Sequence, residues 1–500
     1  MPAGERYLSD SAHFPGGHTP EVAIPRAVNE IPRIVRTSRT ILPIGAQSSL
    51  TGGATPMGET VLSTEKLARI LDVGPARVTV ESGVPVAVIQ ETLAGHGAWF
   101  PPVPTFTGAF AGGIVATNAA GAATFRHGSV RRWVEAITVV LADGSAVAIR
   151  RGETRAGGGR LILNRAGTTA IEIPVPTYHM PHVDKVSAGY YAAPDMDLID
   201  LFIGSEGTLG VITTVTFRAL SPKPAYVLAL VPCRSEAGAL AVVADLRHEQ
   251  PVAAIEHLDR RCVEILHEDG ADRRHDVRFP AGTEVALLVQ IEVRQGLSER
   301  EAFDEIQAST GASASDAPLA RVCRLLVRHG VFDDTELALP GQVRRAQQLI
   351  AIREAVPAGV NERVGRAQRE MDSRIAKTAA DMIVPFDCFA EMMQIYRDGF
   401  RARGLDFAVW GHISDGNVHP NVLPRSYEDV ERGKEAILFF GREVATLGGC
   451  PLAEHGVGRN PVKQALLRDL YGDSGIDQMR AVKRALDPEW KLAPGVIFSR

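Results

Sequence analysis

The stretch IGSEGTLGVITTVTFRAL, residues 203–220, joins two kinds of sequence. Its first half is glycine, serine, threonine and one glutamate, with Ile203 and Leu209 among them. Its second half is dense in β-branched residues, as a half-buried strand is. A small-residue turn set directly before a strand is where main chain can approach a ligand closely, because glycine carries no Cβ and tolerates left-handed backbone. Two earlier stretches share the design. LPIGAQSSLTGG at 42–53 follows the apolar run RTILPIG, and AGGIVATNAAG at 111–121 follows the proline-rich FPPVPTFTG. Consecutive main-chain N–H groups in such loops form anion-binding nests. No Gly-Lys-Ser/Thr follows any of them, so none is a nucleoside-triphosphate P-loop, and their spacing does not match the dinucleotide fingerprint. Singly, each reads as a tight turn. Together, in the first 220 residues, they point to a long ligand carrying a pyrophosphate.

Around these loops lies an ordinary globular composition. The chain has 500 residues, enough for more than one domain, with 45% hydrophobic and 23% charged residues. A net charge of −5 argues against a nucleic-acid binder working by bulk electrostatics and leaves a local basic patch open. The five cysteines are scattered and odd in number, which reads as reduced thiols rather than a disulfide framework. The N-terminus lacks a signal-peptide core, and no apolar run approaches the roughly 18 residues of a membrane span. A cytoplasmic protein is expected, with peripheral membrane association left open. Short β-branched runs alternate with glycine-rich turns up to the proline-broken SPKPAYV at 221–227. Helices alternating with strands follow, and the end is helical. The expected division is 1–220, 221–440 and 441–500, of α+β class.

In the second half, WGHISDGNVHPN at 410–421 carries an Asp-Gly pair flanked by residues that can extend, a hairpin signal. With a two-residue turn at Asp415–Gly416, Ser414 faces Asn417, Ile413 faces Val418, and His412 faces His419. Opposed residues on an antiparallel pair share a face, so two imidazoles are placed to bind one divalent cation or merely to hydrogen-bond. Asn421 lies on the same face as His419 and is a candidate for holding a substrate oxygen. Further on, AEHGVGR at 453–459 offers Glu454 and His455 in a glycine-bounded turn, where adjacent side chains can both face one cavity. A surface turn is the plain alternative. Two histidines and a carboxylate suit Zn²⁺ or a related ion with a position left open. A histidine outside that set has a pKa suited to a general base.

The order PIGAQSSLTGG, FPPVPTFTGAFAGGIVATNAAG, FIGSEGTLGVIT, GHISDGNVHPN, EHGVG and ALDPEWKLAPG resembles the flavin-dependent 2-hydroxyacid dehydrogenases of the vanillyl-alcohol oxidase superfamily. That group includes D-lactate dehydrogenases, the glycolate oxidase D subunit and D-2-hydroxyglutarate dehydrogenase. The resemblance spans nearly the whole chain. It implies a PCMH-type, two-subdomain FAD-binding domain, an α+β cap domain with a mainly antiparallel sheet, and a C-terminal segment returning to the FAD domain. It assigns Pro43, Gly45, Ala46, Gln47, Ser48, Ser49, Thr51 and Gly52 to the pyrophosphate side of FAD. Pro104, Gly112, Gly113, Asn118, Ala119 and Gly121 fall on the flavin's flank, and Glu206, Gly210 and Ile212 on the nucleotide and ring. It assigns His412, His419 and Glu454 to a divalent metal, zinc or manganese or iron, and leaves His455 as the base. Arg353, in IAIREAV, is the candidate for the substrate carboxylate, since a guanidinium clamps carboxylates bidentately.

The activity implied is oxidation of a small 2-hydroxy acid. The electron acceptor would be a cytochrome, a quinone or an electron-transfer flavoprotein, and a homodimer is compatible. The chain departs from the family's pattern at Val103, at His127–Gly128 and at Leu492–Ala493–Pro494–Gly495. It also has Ala379 where dicarboxylate-oxidising relatives carry lysine in a Lys-x-Asp-x-x-x-Pro pattern completed here by Asp381 and Pro385, which favours a monocarboxylate such as D-lactate or glycolate. Three rivals stand beside this reading: an FAD oxidoreductase of another alcohol, D-2-hydroxyglutarate included; a metal-dependent hydrolase; and a flavoprotein that only carries electrons.

Overall fold

The computed structural model describes residues 4–102, 104, 106–165, 167–309 and 315–500, so Val103 lies outside the described residues. The chain forms two compact units. One comprises 1–121, 128–222 and 450–500; the other comprises 122–127 and 223–449. Residues 441–449, expected in the C-terminal segment, thus belong to the second unit, as does the short excursion 122–127.

In the first unit, a five-stranded antiparallel sheet runs in the order Ile70–Val73, Arg77–Glu81, Val211–Arg218, Val134–Val140, Ala146–Arg150. The strand that follows the glycine turn at 203–210 is therefore central. Burial alternates along its second half, with Val215 and Phe217 inside and Thr214 and Thr216 less buried, as a period of two demands. A smaller sheet pairs Val22–Ala23, Thr60–Ser63 and Ile41–Ile44 in parallel, and the last of these strands delivers the loop at 45–53. Ile31, Val35, Ile41, Leu62, Val140, Val211 and Leu492 share one core. Each such side chain contributes about 1.5–3 kcal/mol on burial. The apolar tail KLAPGVIF docks here: Ile41 donates its N–H to Lys491 O at 2.8 Å, and Ala493 donates to Ile41 O at 2.7 Å. Buried Lys483 fastens the tail with three bonds, to Thr208 O, Leu492 O and the Asp487 carboxylate, at 2.6–2.7 Å.

The second unit is built on a seven-stranded sheet in the order Glu336–Ala338, Ala225–Cys233, Val285–Val293, Val252–Asp259, Phe407–His412, Asn417–Val422, Met382–Ile383, antiparallel at every pairing. The 28-residue helix Val343–Glu370 buries Leu349, Ile352, Val356 and Val360 at helical spacing against this unit's core. That spacing places Arg353 one step round the helix from Ile352, at the edge of the packed face.

Candidate active site

A cavity with an empty volume of about 1430 Å³, counted out to its open mouth, lies in the first unit. Three small-residue stretches enclose it: the loop at 45–53, the turn at 203–210 and, where the sequence suggested a second loop, the short helix Ala111–Ala116 with the turn that follows it. Of the sequence-derived cofactor residues, all line it except Thr51, Gly52, Asn118 and Gly121. Thr51 stands behind the wall, its carbonyl accepting the Arg459 N–H at 2.9 Å. Gly52 is needed for packing: its φ is +76°, and a Cβ there would meet the Phe14 ring at 2.6 Å. Gly113 faces the other way, with open space where a Cβ would stand. Small residues thus serve two ends, close packing behind the wall and room within it.

Each loop contains one non-glycine residue in left-handed backbone: Gln47 at φ 53°, Asn118 at 48° and Glu206 at 50°. Such a conformation costs about 1–2 kcal/mol, and in each case the side chain holds it in place. Gln47 Nε2 donates to the carbonyls of Tyr7, Ser9 and Ala54, all at 3.1 Å. Asn118 Oδ1 accepts the Arg131 N–H at 3.0 Å. Glu206 accepts the N–H groups of Val457 and Gly458, each at 2.8 Å. These three side chains therefore shape the cavity wall from within the protein.

Glu454 and His455 also line this cavity. Glu454 Oε1 pairs with Lys185 Nζ at 2.6 Å, and the lysine side chain is fully buried. Lys185 was not a sequence-derived site residue. It lies in the polar loop PHVDKVSAG, where nothing marks one lysine as internal.

In the second unit, the hairpin forms with a register different from the one expected. Trp410 pairs with His419, Gly411 with Val418, and His412 with Asn417. The connection is a 3₁₀ turn over Ile413–Asp415 closed by Gly416 at φ +83°, not a two-residue turn. Tertiary partners explain the longer loop. Ser414 Oγ accepts the Ile255 N–H at 3.2 Å, and Ser414 O accepts Arg247 Nε at 2.7 Å. The pairing has moved by two residues, and because side chains alternate with period two, a shift of two keeps every residue on its face. His412 and His419 are diagonal neighbours rather than opposed, with ring centroids 5.6 Å apart and planes nearly perpendicular at 89°.

A carboxylate backs each imidazole. His412 Nδ1 lies 2.8 Å from Glu256 Oε1, and the other Glu256 oxygen accepts Arg353 Nε at 3.0 Å. Burial alone would raise the Glu256 carboxyl, but the Arg353 guanidinium and the His412 imidazole outweigh it and hold the group down at about 2. His419 Nδ1 lies 3.4 Å from Asp381 Oδ1, which accepts Asn417 Nδ2 at 3.0 Å. Asn421 donates Nδ2 to His419 O at 2.8 Å. Metal-bound histidines characteristically use the second ring nitrogen in this way, which fixes tautomer and ring plane. The histidine pair therefore fits a divalent cation in its donor chemistry. Glu256 is the residue that sequence reasoning missed; its signal was a glutamate directly after the apolar run VAAI in the buried strand VAAIEHLD. Its position opposite His412 follows from strand order, which is tertiary information.

Residues 223–497 match the family model described as FAD linked oxidases, C-terminal domain, and residues 20–150 match an FAD binding domain. The chain belongs to the FAD linked oxidases. Similar proteins include a D-2-hydroxyglutarate dehydrogenase of Xanthomonas citri pv. viticola, 28% identical over 95% of this chain and 89% of that one. A D-lactate dehydrogenase of Archaeoglobus fulgidus is 26% identical, covering 98% and 96%. The glycolate oxidase subunit GlcD of Bacillus subtilis is 27% identical, covering 96% and 89%. Among solved structures, an alkyldihydroxyacetonephosphate synthase superposes with a TM-score of 0.59 over 95% of this chain and 75% of that one, at 13% identity, a likeness of fold. As an FAD-linked oxidoreductase of PCMH-type fold, the chain has a cavity to match. Its three loops supply glycine-rich main chain along one wall, and Gly113 leaves space inside. Among the described residues, no helix of this FAD-linked oxidase is long and apolar enough to cross a membrane.

Proposed function

We propose that this chain oxidises a 2-hydroxy acid to the 2-oxo acid, with D-lactate or glycolate as the favoured substrate, using FAD and a divalent cation. The observation that carries the reading is the placement of Glu454 and His455 on the wall of the cavity formed by the three FAD-type loops. The names of the similar proteins, D-lactate dehydrogenase, glycolate oxidase subunit and D-2-hydroxyglutarate dehydrogenase, support the substrate class. Ala379 in place of a lysine favours the monocarboxylate members.

His412, His419 and Glu454 are the proposed ligands of zinc, or of manganese or iron. When bound, FAD supplies an acceptor at N5 for the C2 hydrogen with its electron pair, and the cation supplies Lewis acidity toward the hydroxyl oxygen. The protein's part is acid–base and positional. His455 takes the hydroxyl proton on an imidazole nitrogen, the residue type that most often serves as a general base. Arg353, with its plane fixed by the bond from Nε to Glu256, receives the substrate carboxylate. Asn421 orients a substrate oxygen. Lys185 compensates the Glu454 charge inside the first unit. Electrons leave to a cytochrome, a quinone or an electron-transfer flavoprotein; one similar protein is named a D-lactate dehydrogenase [cytochrome].

The test is an anaerobic screen of purified, flavin-loaded protein against D- and L-2-hydroxy acids. Bleaching of the flavin by D-lactate or glycolate, with accumulation of the 2-oxo acid, is the expected result. A flavin that stays oxidised with every hydroxy acid would sink the proposal.

A further inference from the structure

The loop that carries His455 is fastened from the second residue after it, and one carboxylate accepts both of the first two main-chain N–H groups there, while Gly458 O accepts from Ile497 N–H and Gln464 Nε2. Glu206 reaches it from the 203–210 turn. Its Oε1 accepts the Val457 N–H and its Oε2 the Gly458 N–H, both at 2.8 Å. Sterics close the same junction. A Cβ at Gly456 would come within 2.8 Å of Glu206 Oε1, and a Cβ at Gly458 within 2.3 Å of Thr51 O. Both glycines are left-handed, at φ +72° and +57°. Glu206 is itself pinned in left-handed backbone, donating its own N–H to Ala116 O at 2.8 Å. Beyond the clamp, Arg459 pairs with Glu59 at 2.7 Å.

Glu206 keeps part of its surface on the cavity, yet it lies deep. Burial pushes its carboxyl up to about 7, against the pull of the two N–H groups and Lys463. A chain that needed only a turn at 454–459 would not have to keep a carboxylate at that depth.

We infer that Glu206 is a positioning residue: a two-pronged carboxylate clamp on the Val457 and Gly458 amides that sets the His455 imidazole at the cavity wall. The inference rests on the proposed role of His455 as base. It moves Glu206 from a cofactor contact to a holder of the catalytic loop. Glutamine cannot replace it, because an amide offers one acceptor oxygen and turns its NH₂ toward the second N–H.

The experiment compares wild type with Glu206→Gln and Glu206→Asp as FAD-loaded proteins, by anaerobic stopped-flow reduction with D-lactate or glycolate. In Glu206→Gln, FAD content and KM are expected to stay within about threefold. The limiting reduction rate should fall about 100-fold, the scale of a displacement of about 1 Å in a catalytic group. Glu206→Asp, which keeps the carboxylate, should recover part of the rate. A Glu206→Gln rate within threefold of wild type, or a variant that loses FAD while reduction per bound flavin is unchanged, overturns the inference. Hydrogen exchange on the wild-type holoenzyme tests the clamp without any variant. The 457 and 458 amides are expected to exchange slowly; exchange at the rate of an unstructured peptide overturns it. If no hydroxy acid reduces the wild-type flavin, the proposed function fails, and the exchange result still judges the clamp.

Discussion

Glu256→Gln is the substitution whose consequences can be worked most fully from the structure. The carboxylate meets two donors, His412 Nδ1 at 2.8 Å on one oxygen and Arg353 Nε at 3.0 Å on the other. Both partners are largely buried: the Arg353 side chain is 12% exposed and His412 is 2% exposed. An amide of the same shape satisfies one donor and opposes the other, and it removes the buried counter-charge of the guanidinium, whose pairing with Glu354 at 3.3 Å remains. Removing one partner of a buried ion pair costs about 3–5 kcal/mol. A domain of about 150–250 residues loses roughly 2–4 °C of Tm per kcal/mol, so the second unit should melt at least about 6 °C lower. The pH dependence has a fixed sign. The Glu256 pKa is depressed from 4.5 to about 2 in the folded protein, so its contribution is fully present above about 4.5 and is lost as pH falls toward 2. The gap between wild type and variant should therefore be constant above pH 5 and shrink below it. Calorimetry on chelator-treated protein across that range is the assay. In parallel, competition with a chromophoric chelator should show Zn²⁺ bound about 10–100-fold more weakly by the variant. An unchanged Tm together with an unchanged zinc affinity would refute the reasoning.

Other outcomes follow from the same geometry. His412→Ala and His419→Ala should each lose bound metal by elemental analysis and most turnover while retaining FAD; full metal content in both would remove the metal proposal. Gly113→Leu places a side chain where a Cβ finds open space in the cavity wall, so flavin content should fall at least about tenfold with circular dichroism unchanged, since leucine favours the helix over glycine. Lys185→Met removes the buried ammonium that pairs with the nearly buried Glu454 carboxylate and should lower the first unit's stability by about 3 kcal/mol, read in denaturant unfolding. His455→Ala should bind hydroxy acid, seen as a perturbed flavin spectrum, yet barely reduce the flavin.

Much of the fold was legible because it follows from local chemistry. Clusters of glycine and other small residues located the three stretches that line the cavity, and the alternation in VITTVTFR marked a strand that proves central. The proline break at SPKPAYV fell next to the division at 222/223. What stayed hidden depends on contacts far apart in the chain. Nothing near Asp415–Gly416 announces that Ile255 and Arg247 will draw Ser414 into a 3₁₀ turn, so a two-residue turn was the natural expectation. The histidines kept their common face only because the pairing moved by an even number. Glu256, Lys185 and the clamp from Glu206 to Val457 and Gly458 bridge 156, 269 and about 250 residues of chain respectively. No periodicity reports on separations of that size. Thr51, Gly52 and Asn118 have the composition of cofactor contacts yet are not among the residues lining the cavity, and local sequence does not report which residues of a turn face it.

The most direct measurement is anaerobic mixing of the flavin- and zinc-loaded protein with D-lactate and glycolate, following the visible flavin absorbance and the 2-oxo acid together. The account predicts one 2-oxo acid formed per flavin reduced, with the reaction abolished in His455→Ala. A wild-type flavin that remains oxidised with both acids, or a His455→Ala protein that reduces as fast as wild type, would contradict it.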